Sequence, residues 1–134
     1  MTIEDVERIA LALPETHERP AWGNRAWRVK DRMFVWERPL NTSDVKALTA
    51  LGRDVPAGTL VGLRTDGMHD KQGVLATFPD VLLTIPHFDN YPAVLAKLDV
   101  IDLGTLSDLI VDAWLARAPA PLAEAYLAEH TPPT

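Results

Sequence analysis

The first apolar run of the chain has the spacing of an amphipathic helix. Its apolar residues recur at every third or fourth position up to Pro14: Val6, Ile9, Ala10 and Leu13. Thr2 is the predicted N-cap, and Asp5 three residues later completes an aspartate version of the capping box. The pattern therefore predicts a first helix with one buried stripe that ends before Pro14.

The C-terminal part repeats this periodicity more regularly. Its stripe follows the spacing i, i+3, i+4, i+7, i+8 and i+11: Leu106, Leu109, Ile110, Ala113, Trp114 and Arg117. Thr105 with Asp108 repeats the capping pattern. The Ala-Pro-Ala-Pro segment 118–121 predicts a break before a last short helix over 122–129, and residues 131–134 are expected to be frayed.

Shorter elements fill the middle of the chain. The pattern predicts an edge strand or loop over 16–22, strands over 59–64, 81–85 and 91–98, and helices over 42–50 and 67–78. Thr42 or Ser43 is the predicted cap of the helix over 42–50. The segment 81–85 is apolar enough to be a central strand.

A hairpin is predicted between residues 27 and 36. A two-residue turn at Asp31-Arg32 would pair Trp27 with Trp36. Both tryptophans would then lie on one face of the sheet, in the core. Arg28 and Lys30 would lie on the other face.

These elements predict the fold class. Clustered strands between flanking helices favour an α+β fold with a single antiparallel sheet, helices packed mainly on one face, and N- and C-terminal helices at its sides. A chain of 134 residues is predicted to form one domain over residues 1–130, followed by the tail 131–134.

Composition narrows the function classes. The chain has no cysteine, which excludes disulfides and thiolate chemistry. It has no P-loop and no dinucleotide fingerprint, and its two serines, Ser43 and Ser107, have no nucleophile-elbow context. We therefore predict no catalytic residues, no cofactor and a non-enzymatic role. The acidic N-terminus and the absence of a long apolar run predict a cytoplasmic protein without membrane contact.

Charge is distributed unevenly along the chain. The formal net charge is −6, yet residues 15–39 carry six basic and four acidic residues. The basic residues of the hairpin region are the predicted nucleic-acid contacts: Arg25, Arg28, Lys30, Arg32 and Arg38. The alternative is a solvated edge strand whose charges prevent aggregation. The negative total predicts that any DNA binding is weak and salt-dependent.

Aromatic residues and histidines give a second set of candidates. Trp22 follows Pro20-Ala21 and precedes Gly23, so it belongs either to the core or to an accessible surface. The predicted ligand or partner contacts are Trp22, His87 and Tyr91. Three histidines lie beside acids in the sequence: His17, His69 and His87. Because they lack a fixed ligand spacing, we predict exposed loop histidines and no metal site.

The order of these segments resembles a known family, YjbR/MmcQ, over roughly residues 3–120. The resemblance rests on Leu13-Pro14, Trp22-Gly23, Trp27-x-Val29, Met33-Phe34, the run 86–92, Asp112-Ala113-Trp114 and Ala118-Pro119. It implies an α+β domain of the CyaY-like or secretion-chaperone-like type, and DNA binding through two β-wings, with no established catalytic set. The first wing would be Arg28-Lys30-Arg32. The second, 64–71, carries Asp66 and Asp70 beside its basic residues, which is unfavourable for phosphate contact.

Three functions therefore remain open after the sequence. The first is a binding domain that contacts DNA through the basic hairpin. The second is a protein–protein interaction module that uses Trp22 or an open sheet face. The third is a small-ligand or metal-binding protein that uses the loop histidines. The chain is expected to be a monomer or a homodimer.

Overall fold

The computed structural model describes residues 1–130. Within these residues, six strands form one antiparallel sheet flanked by five α-helices. In chain order the elements are α1 (Ile3–Leu11), β1 (Thr16–Glu18), β2 (Ala26–Val29), β3 (Arg32–Glu37), α2 (Thr42–Ala50), β4 (Leu60–Arg64), α3 (Gly67–Thr77), β5 (Leu82–Leu83), a 3₁₀ turn (Pro86–Phe88), β6 (Ala93–Lys97), α4 (Leu103–Arg117) and α5 (Ala120–His130). The strand order is β1-β2-β3-β4-β6-β5, and every neighbouring pair is antiparallel. The predicted fold class is confirmed.

The two faces of the sheet are buried to different extents. On the first, which we call the covered face, apolar residues of α1, α3, α4 and α5 pack around Trp27 and Trp114. On the second, the groove face, α2 and the 3₁₀ turn supply Leu48 and Phe88 over Trp36. The helices therefore lie mainly on one face, and part of the groove face remains open.

The hairpin register differs from the prediction. The turn is Lys30-Asp31, both with positive φ (48° and 67°), so Val29 pairs with Arg32. The register then shifts at Trp27/Arg28: Trp27 pairs with Val35. This shift leaves Phe34 as an extra residue on β3, a β-bulge.

The bulge separates the two tryptophans that were predicted to share a face. Phe34 and Val35 both belong to the core of the covered face, together with Trp27. Trp36 consequently packs on the groove face. The predicted Trp27–Trp36 pair is wrong because strict alternation along β3 does not hold across a bulge.

Several element details also differ. The predicted central strand 81–85 contributes only the short β5, at the edge of the sheet. Its apolar run has another cause: Leu82 packs in the covered-face core and Ile85 in the groove-face core. Asn41, not Thr42 or Ser43, caps α2, and Asp102, not Thr105, caps α4. The Thr2–Asp5 capping box is confirmed, while the predicted frayed tail lies outside the described residues.

Candidate functional site: a groove on the open sheet face

A groove of about 700 Å³ crosses the open part of the groove face. Its lining comes from the 21–24 turn, β3, the start of α2 and the segment around the 3₁₀ turn: Trp22, Asn24, Met33, Trp36, Glu37, Arg38, Pro39, Leu40, Asn41, His87, Phe88 and Tyr91. The three residues predicted as ligand or partner contacts, Trp22, His87 and Tyr91, all lie along it. They come from two segments about 65 residues apart in the sequence, which the antiparallel sheet brings together.

Trp22 stands at the tip of a tight turn. Ala21 and Asn24 exchange two backbone hydrogen bonds of 2.9 Å, which leaves Trp22 and Gly23 as the turn residues. Trp22 has a φ of 52°, a left-handed conformation that costs a non-glycine residue about 1–2 kcal/mol. Its side chain is 82% exposed, whereas Trp27, Trp36 and Trp114 are at most 3% exposed. Folding alone does not require an exposed tryptophan in a strained turn, so Trp22 is a candidate contact residue.

The floor of the groove is aromatic and tightly packed. The Trp36 ring lies 6.3 Å from Phe88 and 6.4 Å from Tyr91, and Phe88 lies 5.5 Å from Tyr91. Gly62 on β4 makes this arrangement possible, since a Cβ there would come within 2.3 Å of the Trp36 ring. The floor is therefore preformed.

Lys71 of α3 holds one wall of the groove in place. Its side chain is 3% exposed, and Nζ donates hydrogen bonds to the backbone carbonyls of Phe88 and Tyr91, the latter at 2.8 Å. Burial lowers the pKa of Lys71. This lysine was not among the candidates from the sequence, because nothing local marks it as buried.

Three of the five predicted nucleic-acid contacts form ion pairs within the protein. Arg25 donates two hydrogen bonds of 2.8 Å to Glu18 and a further one to Glu7. The bond from Arg25 is the main cause that lowers the pKa of Glu18. Arg38 contacts the buried Asp44 at 2.9 Å.

The third predicted nucleic-acid contact that forms an ion pair is Lys30, which lies 3.6 Å from Glu15. Each of these cations already has a carboxylate partner, so a phosphate would have to compete for it.

Arg28 and Arg32 differ from those three. Neither forms an ion pair with any residue in the range 1–130, and the Nε of Arg28 is buried without a hydrogen-bond partner. Arg28 pairs with Met33 across the hairpin and lies on the groove face with it. Arg32 is exposed and donates to the backbone carbonyl of Arg117 at 3.5 Å.

Two further arginines lie at the same end of the sheet. Arg64 ends β4, with its guanidinium 5.0 Å from the centre of the Tyr91 ring and 3.4 Å from the Tyr91 hydroxyl. Arg117 ends α4, and its pKa is lowered first by burial and then by the charge of Arg64. The sequence did not assign Arg117 to a site, because its proximity to Arg32 and Arg64 depends on strand order.

The three histidines considered as metal ligands are separated. His17 on β1 lies 3.4 Å from Asp31, and His87 lines the groove. His69 on α3 lines a different cavity of about 480 Å³, together with Asp70 and Asp112. In residues 1–130 no group of three histidine, aspartate or glutamate side chains could hold a metal ion.

The described helices include none that combines the length and the apolar character needed to cross a membrane.

The sheet order and the groove define a small α+β protein with an aromatic groove on the less covered face of one antiparallel sheet. The sequence model of the YjbR family matches residues 11–116. The chain belongs to the YjbR family. It is 44% identical over 127 residues to the uncharacterized protein Rv2570 of Mycobacterium tuberculosis and to the uncharacterized protein Mb2600 of Mycobacterium bovis, covering 95% of this chain and 96% of each relative.

A solved structure shares the fold. The crystal structure of Deinococcus radiodurans protein DR2400, described as a DUF419 domain, superimposes with a TM-score of 0.62. The alignment covers 98% of this chain and 89% of that one at 15% sequence identity. At this identity the likeness shows the common fold alone.

Proposed function

We propose that this protein is a binding domain for single-stranded nucleic acid, which it contacts on the groove face. The observation that carries the proposal is Trp22, an 82% exposed tryptophan at the mouth of an aromatic groove. Base–aromatic stacking contributes about 1–3 kcal/mol per base and is available only where the strand is unpaired.

Phosphate contacts are assigned to the basic residues of the hairpin that form no ion pair with a carboxylate of residues 1–130. Arg28 lies on the groove face and Arg32 begins β3 at the same end of the sheet, and neither forms an ion pair within residues 1–130. Arg25, Lys30 and Arg38 each pair with a carboxylate, which favours the groove over a wing made of the hairpin alone. The net charge of −6 limits the affinity, so binding is expected to be weak and salt-dependent.

The proposal includes the remaining predictions from the sequence. Both core clusters share one sheet, which supports treating residues 1–130 as one folded and binding unit. A nucleic-acid ligand is consistent with the predicted cytoplasmic location.

Fluorescence provides the first test, because the other three tryptophans are buried. We expect a short oligothymidylate, added at low salt, to quench the emission of Trp22, and we expect Trp22→Ala to lose both the signal and most of the affinity. Arg8→Gln is the matched control for charge, since Arg8 lies on α1, over the covered face. Absence of binding to the oligonucleotide at low salt contradicts the proposal.

Salt dependence provides the second test. Each phosphate contact on a single strand contributes about −0.7 to the slope of log K against log salt. We expect Arg28→Gln and Arg32→Gln each to reduce the slope by about that amount and Arg8→Gln to leave it unchanged. Tighter binding to a duplex than to the single strand would instead favour the two-wing mode.

A protein-interaction module is the second candidate. It is favoured by the largely apolar lining of the groove, including Met33, Leu40 and Phe88, and by Glu37 among the lining residues. With a net charge of −6, the matching partner is a basic peptide with an apolar anchor. Binding of such a peptide that requires Trp22, without binding of the oligonucleotide, would establish this function in place of the first.

A further inference from the structure

Four arginines lie at one end of the sheet, and none has a carboxylate of residues 1–130 within ion-pair distance. Arg32 begins β3, Arg64 ends β4 and Arg117 ends α4. Arg28 lies on β2, two strands from β4, so the spacing of strands places it about 10 Å from Arg64. None of the four forms an ion pair within the described chain.

Buried donors in this cluster have no acceptor. The Nε atoms of Arg28, Arg64 and Arg117 are shielded from solvent and have no hydrogen-bond partner in residues 1–130. Such groups are uncommon in folded proteins, because each unsatisfied buried donor costs about 1–3 kcal/mol. Two of these three donors, on Arg64 and Arg117, belong to the cluster around Tyr91, where an oxygen of a ligand would supply the acceptor.

The arginine charges of the cluster also act on one another. Burial is the largest cause of the lowered pKa of Arg117, and the neighbouring charges of Arg64 and Arg32 lower it further. Acidic residues nearby lie in the 480 Å³ cavity that Arg64 also lines: Asp66, Asp70 and Asp112. None of these three carboxylates comes within ion-pair distance of an arginine in the part of the chain described.

Tyr91 adds a directional group to the cluster. Its hydroxyl oxygen accepts a hydrogen bond from Arg64 Nη1 at 3.4 Å, and its ring supports the Arg64 guanidinium. The hydroxyl hydrogen remains available to donate to a second acceptor. Guanidinium and hydroxyl groups are suitable hydrogen-bond donors to a tetrahedral or planar oxyanion.

We propose that Arg32, Arg64 and Arg117, with the hydroxyl of Tyr91, form a binding site for an oxyanion, the phosphate or carboxylate group of a small ligand. The bound anion accepts hydrogen bonds from the guanidinium groups and neutralises their mutual repulsion. The site adjoins the groove at Tyr91 and shares Arg32 with the phosphate contacts proposed above. A small anion can bind there whether or not the groove takes a nucleic acid.

The test uses inorganic phosphate as the probe, with acetate as a second arm and chloride at matched ionic strength as the reference. We expect phosphate to raise the melting temperature of the full chain in a saturable way, and titration calorimetry to give one site. Arg64→Gln and Arg117→Gln are expected to weaken phosphate binding about tenfold or more. Lys97→Gln is the matched control, because Lys97 lies at the other end of the β4–β6 pair.

The chloride reference separates an anion site from a structural role. If the arginines only stabilise the fold, both variants will melt below the wild type in chloride. If they form the site, the variants will melt with the wild type or above it in chloride, and below it only in phosphate. Binding of phosphate alone assigns a phosphoryl ligand, and binding of acetate as well assigns oxyanions generally.

Two results would overturn the site: no saturable response to either anion, or equal phosphate binding in Arg64→Gln, Arg117→Gln and the wild type. Trp22→Ala is expected to bind phosphate normally. Failure of the oligonucleotide test is thereby distinguished from failure of the oxyanion site.

Discussion

Gly62 shows how one residue sets the shape of the groove floor. It lies on β4 opposite Trp36, and the absence of a side chain allows the indole to lie against the strand. The glycine is needed for this close approach and not for its backbone angles, since its φ is not in the left-handed region.

We predict that Gly62→Ala destabilises the protein by about 1–3 kcal/mol, the usual cost of overpacking a core. The new Cβ would meet the Trp36 ring at 2.3 Å, and Trp36 is 3% exposed. Gly73→Ala on α3 is the control, because a Cβ at that position would have nothing within 4 Å and alanine favours helix by about 0.5–1 kcal/mol. Urea unfolding measures both; equal stability of the two variants would contradict the packing argument.

Arg38 provides a second prediction for a single residue. Asp44 is 4% exposed and accepts hydrogen bonds from Arg38 at 2.9 Å and from the backbone of Asn41 at 3.0 Å. Arg38→Ala removes one partner from a buried carboxylate and is expected to cost about 1.5–3 kcal/mol.

The comparison variant is Arg8→Ala, whose ion pair with Asp5 is exposed and is expected to cost less than about 1 kcal/mol. Chemical denaturation measures the free energy of unfolding of both variants. If they unfold alike, Arg38 has no structural role and is available to a ligand in the groove.

At the scale of elements, Lys71 joins α3 to the segment that forms a groove wall. The Lys71 amine donates to two carbonyls, those of Phe88 and Tyr91. A neutral amine keeps two N–H groups, so both hydrogen bonds can persist after deprotonation. The lowered pKa therefore does not break the contact.

The stability contributed by Lys71 is expected to depend on pH. The unfolded chain keeps the proton up to the ordinary pKa of 10.5, whereas the folded chain releases it at a lower pH. Between these values the unfolded state binds more protons, so the free energy of unfolding rises with pH. Urea unfolding between neutral pH and pH 10.5 should show that the free energy of unfolding rises with pH in the wild type and that this rise is absent in Lys71→Met. The same pH slope in both proteins would contradict this role of Lys71.

The elements also show what the sequence could predict. Helices α1 and α4 were located from their apolar spacing, because one buried stripe on a long helix repeats locally. The hairpin was located but its register was not, because the Phe34 bulge is not encoded by alternation. Trp22, His87 and Tyr91 were predicted as contacts from the local sequence and lie along one groove. The positions of Arg64, Lys71 and Arg117 depend on neighbours that are distant in the chain.

For the whole molecule, acid is expected to lower stability. Backbone hydrogen bonds lower the pKa of Asp5 and Asp102, and Arg25 lowers that of Glu18. The stability that these carboxylates contribute is present above their ordinary pKa values, 3.8 for the aspartates and 4.5 for Glu18. It is lost as the pH falls through the lower pKa values that they have in the folded state. Unfolding experiments from neutral pH down to about pH 3 should show a progressive loss.

Asp112 is expected to act in the opposite direction. Partial desolvation of its carboxyl in the 480 Å³ cavity raises its pKa, and Asp108 and Asp70 raise it further, so the folded state binds the proton more tightly than the unfolded state does. The stability that Asp112 contributes is therefore present at low pH and is lost as the pH rises through its raised pKa. Asp112→Asn should therefore raise the free energy of unfolding at neutral pH and make its decrease toward acid pH steeper. A variant that is less stable than the wild type at neutral pH would contradict a raised pKa of Asp112.

The sequence by itself determined the main helices, the α+β class and the family, because these follow from periodicity and from local motifs. The tertiary structure decided which tryptophan faces which core, which arginines are neutralised and which are left unpaired. These properties depend on strand order and on one bulge, and they join residues such as Arg32 and Arg117 that are 85 positions apart. A local pattern carries no information about such pairs, since pairing across a sheet is set by the packing of the whole chain.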